Sequence, residues 1–254
     1  MNAPDLDSLD AALRRLRLDH AADQLGALLA ESVREDWSPP TLVAELLGAE
    51  TAAREERRIR TSLRLSGLPS GITLDDFDFA FQPAIERSRI QTLATGAWIR
   101  EQRTVLLLGP PGVGKTHLAV GLGVAAIQQG FSVHFSRIEH LLHDLRRDGH
   151  LPPSQLRRRK YMNSSLLIID EMGFEPLSRE DANLFFRLVS YRYQRGALLI
   201  TSNRSVRDWP DMLAGDETLA GAILDRLLHA SHVLPIAGRS YRLRDLEQHL
   251  AKAG

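Results

Sequence analysis

The sequence predicts an α/β fold in which helices cover both faces of a parallel sheet, with a small helical module ahead of it. Three observations predict it. Short apolar runs recur at 105–108, 133–135, 166–169, 198–200 and 233–236. Four of them are near-continuous and carry β-branched residues, the pattern of strands buried on both faces. Helical patterns at 116–129, 138–147, 179–194 and 218–228 alternate with these runs, which is the βαβ rhythm of a parallel sheet. Finally, a Gly-rich turn after the first run joins strand to helix in the manner of a phosphate-binding loop.

The elements follow in order. Leu9, Leu13, Leu16, Leu18, Leu25, Leu28 and Leu29 recur at helical spacing until Trp37, Ser38, Pro39 and Pro40 interrupt them. A second helix opens at Pro40 and Thr41, carries Leu42, Leu46 and Leu47, and turns basic before Gly67, Pro69 and Gly71 stop it. Residues 1–68 therefore read as a small helical module. Residues 69–82 read as a connector whose Phe77, Phe79 and Phe81 dock on the following domain, and 83–254 as that α/β domain. Ser178 with Asp181 reads as the cap of the helix at 179–194.

With 254 residues, 43% hydrophobic and 25% charged, the chain has the composition of a globular protein with room for one large core and a smaller appendage. Its 32 basic residues balance 32 acidic ones, so net charge points to no partner. The absence of cysteine excludes disulfides, thiol catalysis and Cys-based metal sites. Residues 1–10 lack a basic stretch leading into an apolar one, and no apolar run is long enough to span a bilayer. A cytoplasmic location and no membrane partner are expected.

The loop is the firmest signal. Gly109, Pro110, Pro111, Gly112, Val113, Gly114, Lys115 and Thr116 lie between the first strand and an Ala/Leu-rich helix that begins with His117 next in line. Gly112 and Gly114 permit backbone conformations that bring N–H groups to phosphates, and the helix dipole faces the polyphosphate. Lys115 is expected to reach the β- and γ-phosphates of ATP, and the Thr116 hydroxyl to ligate Mg²⁺.

Two other strand ends carry polar residues. The run at 166–169 ends in Asp170 and Glu171, which places two carboxylates at the carboxyl edge of the sheet, where α/β ligand sites form. Asp170 is expected to hold Mg²⁺, and Glu171 to orient or deprotonate the attacking water. The run at 198–200 ends in Thr201, Ser202 and Asn203, with Asn203 the candidate γ-phosphate sensor. Taken alone, the acids also read as a solvated strand end and Asn203 as a turn former. The histidine pairs His140/His143 and His229/His232 lack a third ligand and read as surface residues.

Together, Trp98-Ile99-Arg100, the loop, Asp170-Glu171, Thr201-Ser202-Asn203-Arg204, the stretch from Ile223 to His229 that contains Asp225-Arg226, and Ser240-Tyr241-Arg242 resemble the IstB-like transposition helper ATPases. These belong to the AAA+ superfamily and are related to the DnaC helicase loader and the DnaA initiator. The resemblance implies a three-layer α/β/α P-loop NTPase fold with a five-stranded sheet in the order 5-1-4-3-2. It implies a homo-oligomer on double-stranded DNA with ATP sites completed between subunits, and delivery of DNA to the transposase of the same mobile element. By position Arg226 resembles an arginine finger and Arg242 a second sensor arginine. Twelve residues follow Arg242, so no full C-terminal lid is expected. The alternatives are a DnaC-like helicase loader and, from another class, a small-molecule kinase.

Two basic clusters complete the set. Arg57, Arg60 and Arg64 share a helical face, and Arg157, Arg158, Arg159 and Lys160 are contiguous. A solvated face is the competing reading, with Glu55 and Glu56 nearby. The resemblance favours contacts to DNA phosphates, with little direct reading of sequence.

Overall fold

The computed structural model describes residues 5–244. The chain separates into two compact units, Met1–Thr61 and Ser62–Gly254, and each is taken by itself.

The first unit contains α1 (Leu6–Arg15), α2 (Asp19–Arg34) and most of α3 (Pro39–Ser66). The leucine periodicity that reads as one helix is broken between α1 and α2, where Arg17 takes a left-handed φ of 59°. The leucines continue in step through this turn, so their spacing hides it. Asp5 caps α1 by accepting the Ser8 N–H at 2.9 Å. Pro39 starts α3, where its missing N–H costs nothing. Inside the unit, the buried Glu50 of α3 accepts the Ala21 N–H of α2 at 3.0 Å and the Arg54 Nε at 2.6 Å. The Ala21 bond and Arg54 together hold the Glu50 carboxyl below its ordinary pKa.

The second unit continues with α4 (Arg87–Ala94), α5 (Ala97–Arg100), β1 (Thr104–Leu108), α6 (Lys115–Gln128), β2 (Val133–Arg137) and α7 (Ile138–Asp148). Two short helices, α8 (Pro153–Leu156) and α9 (Lys160–Asn163), lead to β3 (Leu166–Met172), α10 (Arg179–Arg192) and β4 (Ala197–Ser202). The short α11 (Trp209–Met212), α12 (Glu217–Leu228) and β5 (His232–Pro235) follow. All pairings are parallel and the order is β2-β3-β4-β1-β5, as the resemblance implies.

Strand periodicity explains the three layers. Leu106, Leu108, Leu167, Ile169, Leu198 and Ile200 join the buried core beneath α7, α10 and α12, which contains Leu141, Phe185, Leu188, Trp209 and Ile223. The alternate residues, such as Val105, Leu107, Ile168 and Leu199, are equally buried and face the other side. There the α6 backbone comes close enough to Ile168 that a Cβ on Gly123 would sit 2.8 Å from its Cδ1. The Ser178 cap of α10 forms as expected: its hydroxyl accepts the Asp181 N–H at 3.1 Å and donates to the Asp181 carboxylate at 2.7 Å.

Where the sheet begins, a buried cation does structural work. The Arg192 guanidinium donates to the carbonyls of Tyr161, Met162, Ser164 and Ala197 at 2.8–3.3 Å. Burial lowers its pKa to about 10. It meets buried carbonyls at the end of α9 that no helix bond satisfies. Among the described residues, no helix is long and apolar enough to cross a membrane.

Candidate nucleotide site

β1 is buried along its whole length and delivers the chain at the carboxyl edge of the sheet into the loop that precedes α6. Gly112 and Gly114 take φ values of 83° and 97°, open to glycine and strained for other residues. Space is restricted as well: a Cβ on Gly112 would stand 2.1 Å from the Ser240 hydroxyl, and one on Gly114 would stand 2.6 Å from the Phe77 ring. Lys115 opens α6 and folds back over the loop, with Nζ donating to the carbonyls of Gly109 at 2.7 Å and Pro110 at 2.8 Å. Burial lowers its pKa; Asp170 opposes the shift and Arg242 reinforces it.

The Thr116 hydroxyl donates to Asp170 Oδ1 and Oδ2 at 3.0 and 3.1 Å. Asp170 is buried, and its Oδ1 also accepts the Thr201 hydroxyl of β4 at 2.5 Å. A hydroxyl and a carboxylate converging in this way, beside a phosphate loop, form the oxygen donor set that suits Mg²⁺, which takes few protein ligands and fills its sphere with water and phosphate.

β3 runs through the acid pair to Met172, with a register shift between Ile169 and Met172 against β4. At the shift Glu171 takes a left-handed φ of 64°, its N–H held by Thr201 Oγ1 at 3.0 Å. Its carboxylate turns toward the end of β2, where Arg137 Nε lies 3.4 Å away. At the end of β4, the Asn203 amide oxygen is buried with no hydrogen-bond partner, an unusual condition for a buried polar atom.

A cavity of about 410 Å³ opens beside the loop, lined by Gly112, Gly114, Lys115, Thr116 and His117 together with Arg242. The rest of its wall was not marked as a site in the sequence: Asp76, Phe77, Asp78, Tyr241 and Arg244. Phe77 packs edge-on to His117 at 5.4 Å and to Tyr241 at 5.9 Å. His117 Nε2 is 2.8 Å from the Thr73 carbonyl. The Tyr241 N–H donates to the Gly112 carbonyl at 2.9 Å and its hydroxyl to the Asp78 carbonyl at 2.6 Å. Arg244 pairs with Asp78 at 3.1 Å. The aromatic repeat from Phe77 to Phe81 was the available signal, but the partner it would meet could not be read from it.

The chain's similarities can now be stated. The family described as IstB-like ATP binding protein matches residues 11–249. This chain belongs to that family. It is 38% identical to an ATP-binding protein of insertion sequence IS21 from Pseudomonas aeruginosa, over 94% of this chain and 90% of the relative. A counterpart in insertion sequence IS5376 of Geobacillus stearothermophilus is 37% identical, over 91% and 92%. Among solved structures, DnaI is similar in fold, with a TM-score of 0.53 at 18% identity over 66% of this chain and 92% of that one. AMPPCP-bound DnaA from Aquifex aeolicus has a TM-score of 0.52 at 17% identity, over 73% and 56%. The IstB-like chain thus has the P-loop fold of the AAA+ type.

The remaining expected site residues lie elsewhere. Arg226, on α12, lines a small cleft with Thr104 and Leu198, at the edge where β1 and β4 begin, opposite the loop. It donates to the Ala222 carbonyl at 2.7 Å and lies 5.1 Å over the Phe186 ring. Arg57, Arg60 and Arg64 are exposed on α3, with Arg60 paired to Glu56. Arg157, Arg158 and Lys160 are exposed, Lys160 donating to the Leu65 carbonyl at 2.8 Å. Arg159 is half-buried and reaches the buried Asp148 at 2.8 Å.

Proposed function

We propose that this IstB-like protein is a Mg²⁺-dependent ATPase that assembles on duplex DNA, each ATP site being completed by a neighbouring copy, and that it delivers DNA to the transposase of its mobile element. The observation that carries the reading is the division of the machinery between two edges of one sheet. Lys115, Thr116, Asp170, Glu171 and the orphaned Asn203 oxygen share the carboxyl edge, whereas Arg226 stands at the opposite one. A finger so placed serves the site of another copy. The relatives' placement in insertion sequences supports the transposase partner.

In this reading Gly109–Thr116 and His117 cradle the nucleotide, and Lys115 exchanges its loop carbonyls for the β- and γ-phosphates. Thr116 and Asp170 hold Mg²⁺, which when bound neutralises charge on the transferring phosphoryl group. Glu171 takes the proton of the attacking water, Asn203 accepts from that water, and Arg226 of the next copy stabilises the transition state. Arg242 contacts phosphate from the cavity wall. The exposed arginines of α3 and of 157–160 meet DNA phosphates.

Complementation tests this. Lys115→Ala and Arg226→Ala are each expected to lose DNA-stimulated hydrolysis alone, and their mixture to regain part of it. An Arg226→Ala protein with full duplex-stimulated turnover would overturn the shared site. Stimulation by single strands alone would overturn the duplex partner.

A further inference from the structure

Apart from Arg157 at its rim, a groove between α7, α8 and α10 has no part in the reading above. It measures about 240 Å³ and is walled by Leu156, Met162, Leu184 and Tyr191, with Arg157 and Arg187 at its rim. The neighbouring Arg146 and Arg147 are paired with Asp181 and with Asp144 and Asp148. Arg157 and Arg187 are exposed and form no ion pair among the described residues. An apolar cleft with a cationic rim fits an apolar anchor flanked by a carboxylate.

The chain carries such an anchor. Phe174 is 66% exposed and stands beside the exposed Glu175. Its turn is entered through Gly173, at a φ of 90°, and left through Pro176, so the ring is presented from constrained backbone. An aromatic ring that exposed is open to burial against another molecule, and its exposure shows that it does not occupy its own groove.

We infer that Phe174 of one copy docks in the α7–α8–α10 groove of a second copy, with Glu175 facing Arg157 and Arg187. The inference rests on the shared ATP site. α10 supplies Leu184 and Arg187 to the groove and also Phe186, the ring beneath Arg226. On the other copy, Phe174 follows Glu171 by three residues. A nucleotide edge that meets Arg226 thus lies alongside α10, whose other face carries the groove. Because turn and groove are different surfaces, the contact is head-to-tail and repeats from copy to copy.

The chain has no cysteine, which makes the test direct. Glu175→Cys and Arg187→Cys are prepared separately in the full chain, mixed with a non-hydrolysable ATP analogue and duplex DNA, and treated with a short bis-maleimide. A cross-linked dimer is expected in the mixture and in neither variant alone. Glu175→Arg, and separately Arg187→Glu, should each raise the concentration needed for assembly about tenfold or more, and the combination should restore part of the loss. A mixture without the cross-link, or assembly unchanged by either charge reversal, overturns the docking. Complementation between Lys115→Ala and Arg226→Ala without the cross-link keeps the shared site and discards the groove; the cross-link without complementation does the reverse. A protein that stays monomeric with both ligands overturns both.

Discussion

The Thr116 hydroxyl stands within hydrogen-bonding distance of both carboxylate oxygens of Asp170, at 3.0 and 3.1 Å, across the junction between α6 and β3. Both groups are oxygen ligands of the kind a hard cation takes. Asp170→Asn and Thr116→Ala are expected to lower turnover on the order of a hundredfold, the scale of a lost metal contribution to phosphoryl transfer. Thr116→Ser, which keeps the hydroxyl, should retain most of it. Titrating turnover with Mg²⁺ checks this: the two damaging variants should need far more cation for half-maximal rate.

Glu171 is held aside by Arg137 at 3.4 Å, in a half-exposed pair. Glu171→Gln is expected to reduce hydrolysis by about 10²–10⁴ while nucleotide binding persists. Arg137→Ala should free the carboxylate and raise turnover without DNA by no more than about fivefold, since exposed ion pairs are weak. Single-turnover hydrolysis with and without duplex reads both effects.

Much of this was legible in the sequence, because the sheet is buried on both faces. Each apolar run became a strand, and the helices between them start and stop within about two residues of where their patterns do. The strand order was not written in those runs; it came with the resemblance. Among the candidate residues, Lys115 and Thr116 follow the Gly-rich loop at the start of α6, and Asp170 and Asn203 come at the ends of apolar runs, so each had a local pattern to be read from. Asp76 and Asp78 were hidden, and Phe77 and Tyr241 were noted without their place at the loop, because all four meet it from distant points in the chain and no local pattern encodes such contacts. Arg159 looked like its basic neighbours, and only the fold turns it toward Asp148.

Lys115 sits in a site that lowers its pKa, through burial first, with Arg242 adding repulsion and Asp170 opposing. Its cation is therefore lost as pH rises through a value below that of an ordinary lysine. Nucleotide affinity should weaken on the alkaline side earlier than for an exposed lysine. Arg242→Ala removes a repelling charge, so it should move that weakening to higher pH. Fluorescent-nucleotide titrations across pH check the direction, and a fall at unchanged pH in Arg242→Ala would show that the two cations do not interact.

Asp148 is buried and accepts from Tyr161 at 2.8 Å, Arg159 at 2.8 Å and Arg147 at 3.3 Å. Burial works to raise its pKa but is outweighed by the bonds from Arg147 and Tyr161 and the charge of Arg159, so it is lowered. A carboxyl whose folded pKa is depressed stabilises the fold above its unfolded value, near 3.8, and loses that contribution as pH falls through the folded value. Asp148→Asn should cost about 2 kcal/mol at neutral pH, a figure kept low because both arginines are largely solvated. The gap from the parent protein should close in acid. Urea melts at neutral pH and near pH 3 measure it.

Thr201 serves both acid positions of β3 at once. Its single hydroxyl gives its proton to Asp170 Oδ1 and takes the N–H of Glu171 on its lone pair. The Asp170 carboxylate and the Glu171 backbone are thus linked through one oxygen atom. Both acids of β3 therefore hang on a single side chain of the neighbouring strand, and a change at Thr201 reaches the two of them together.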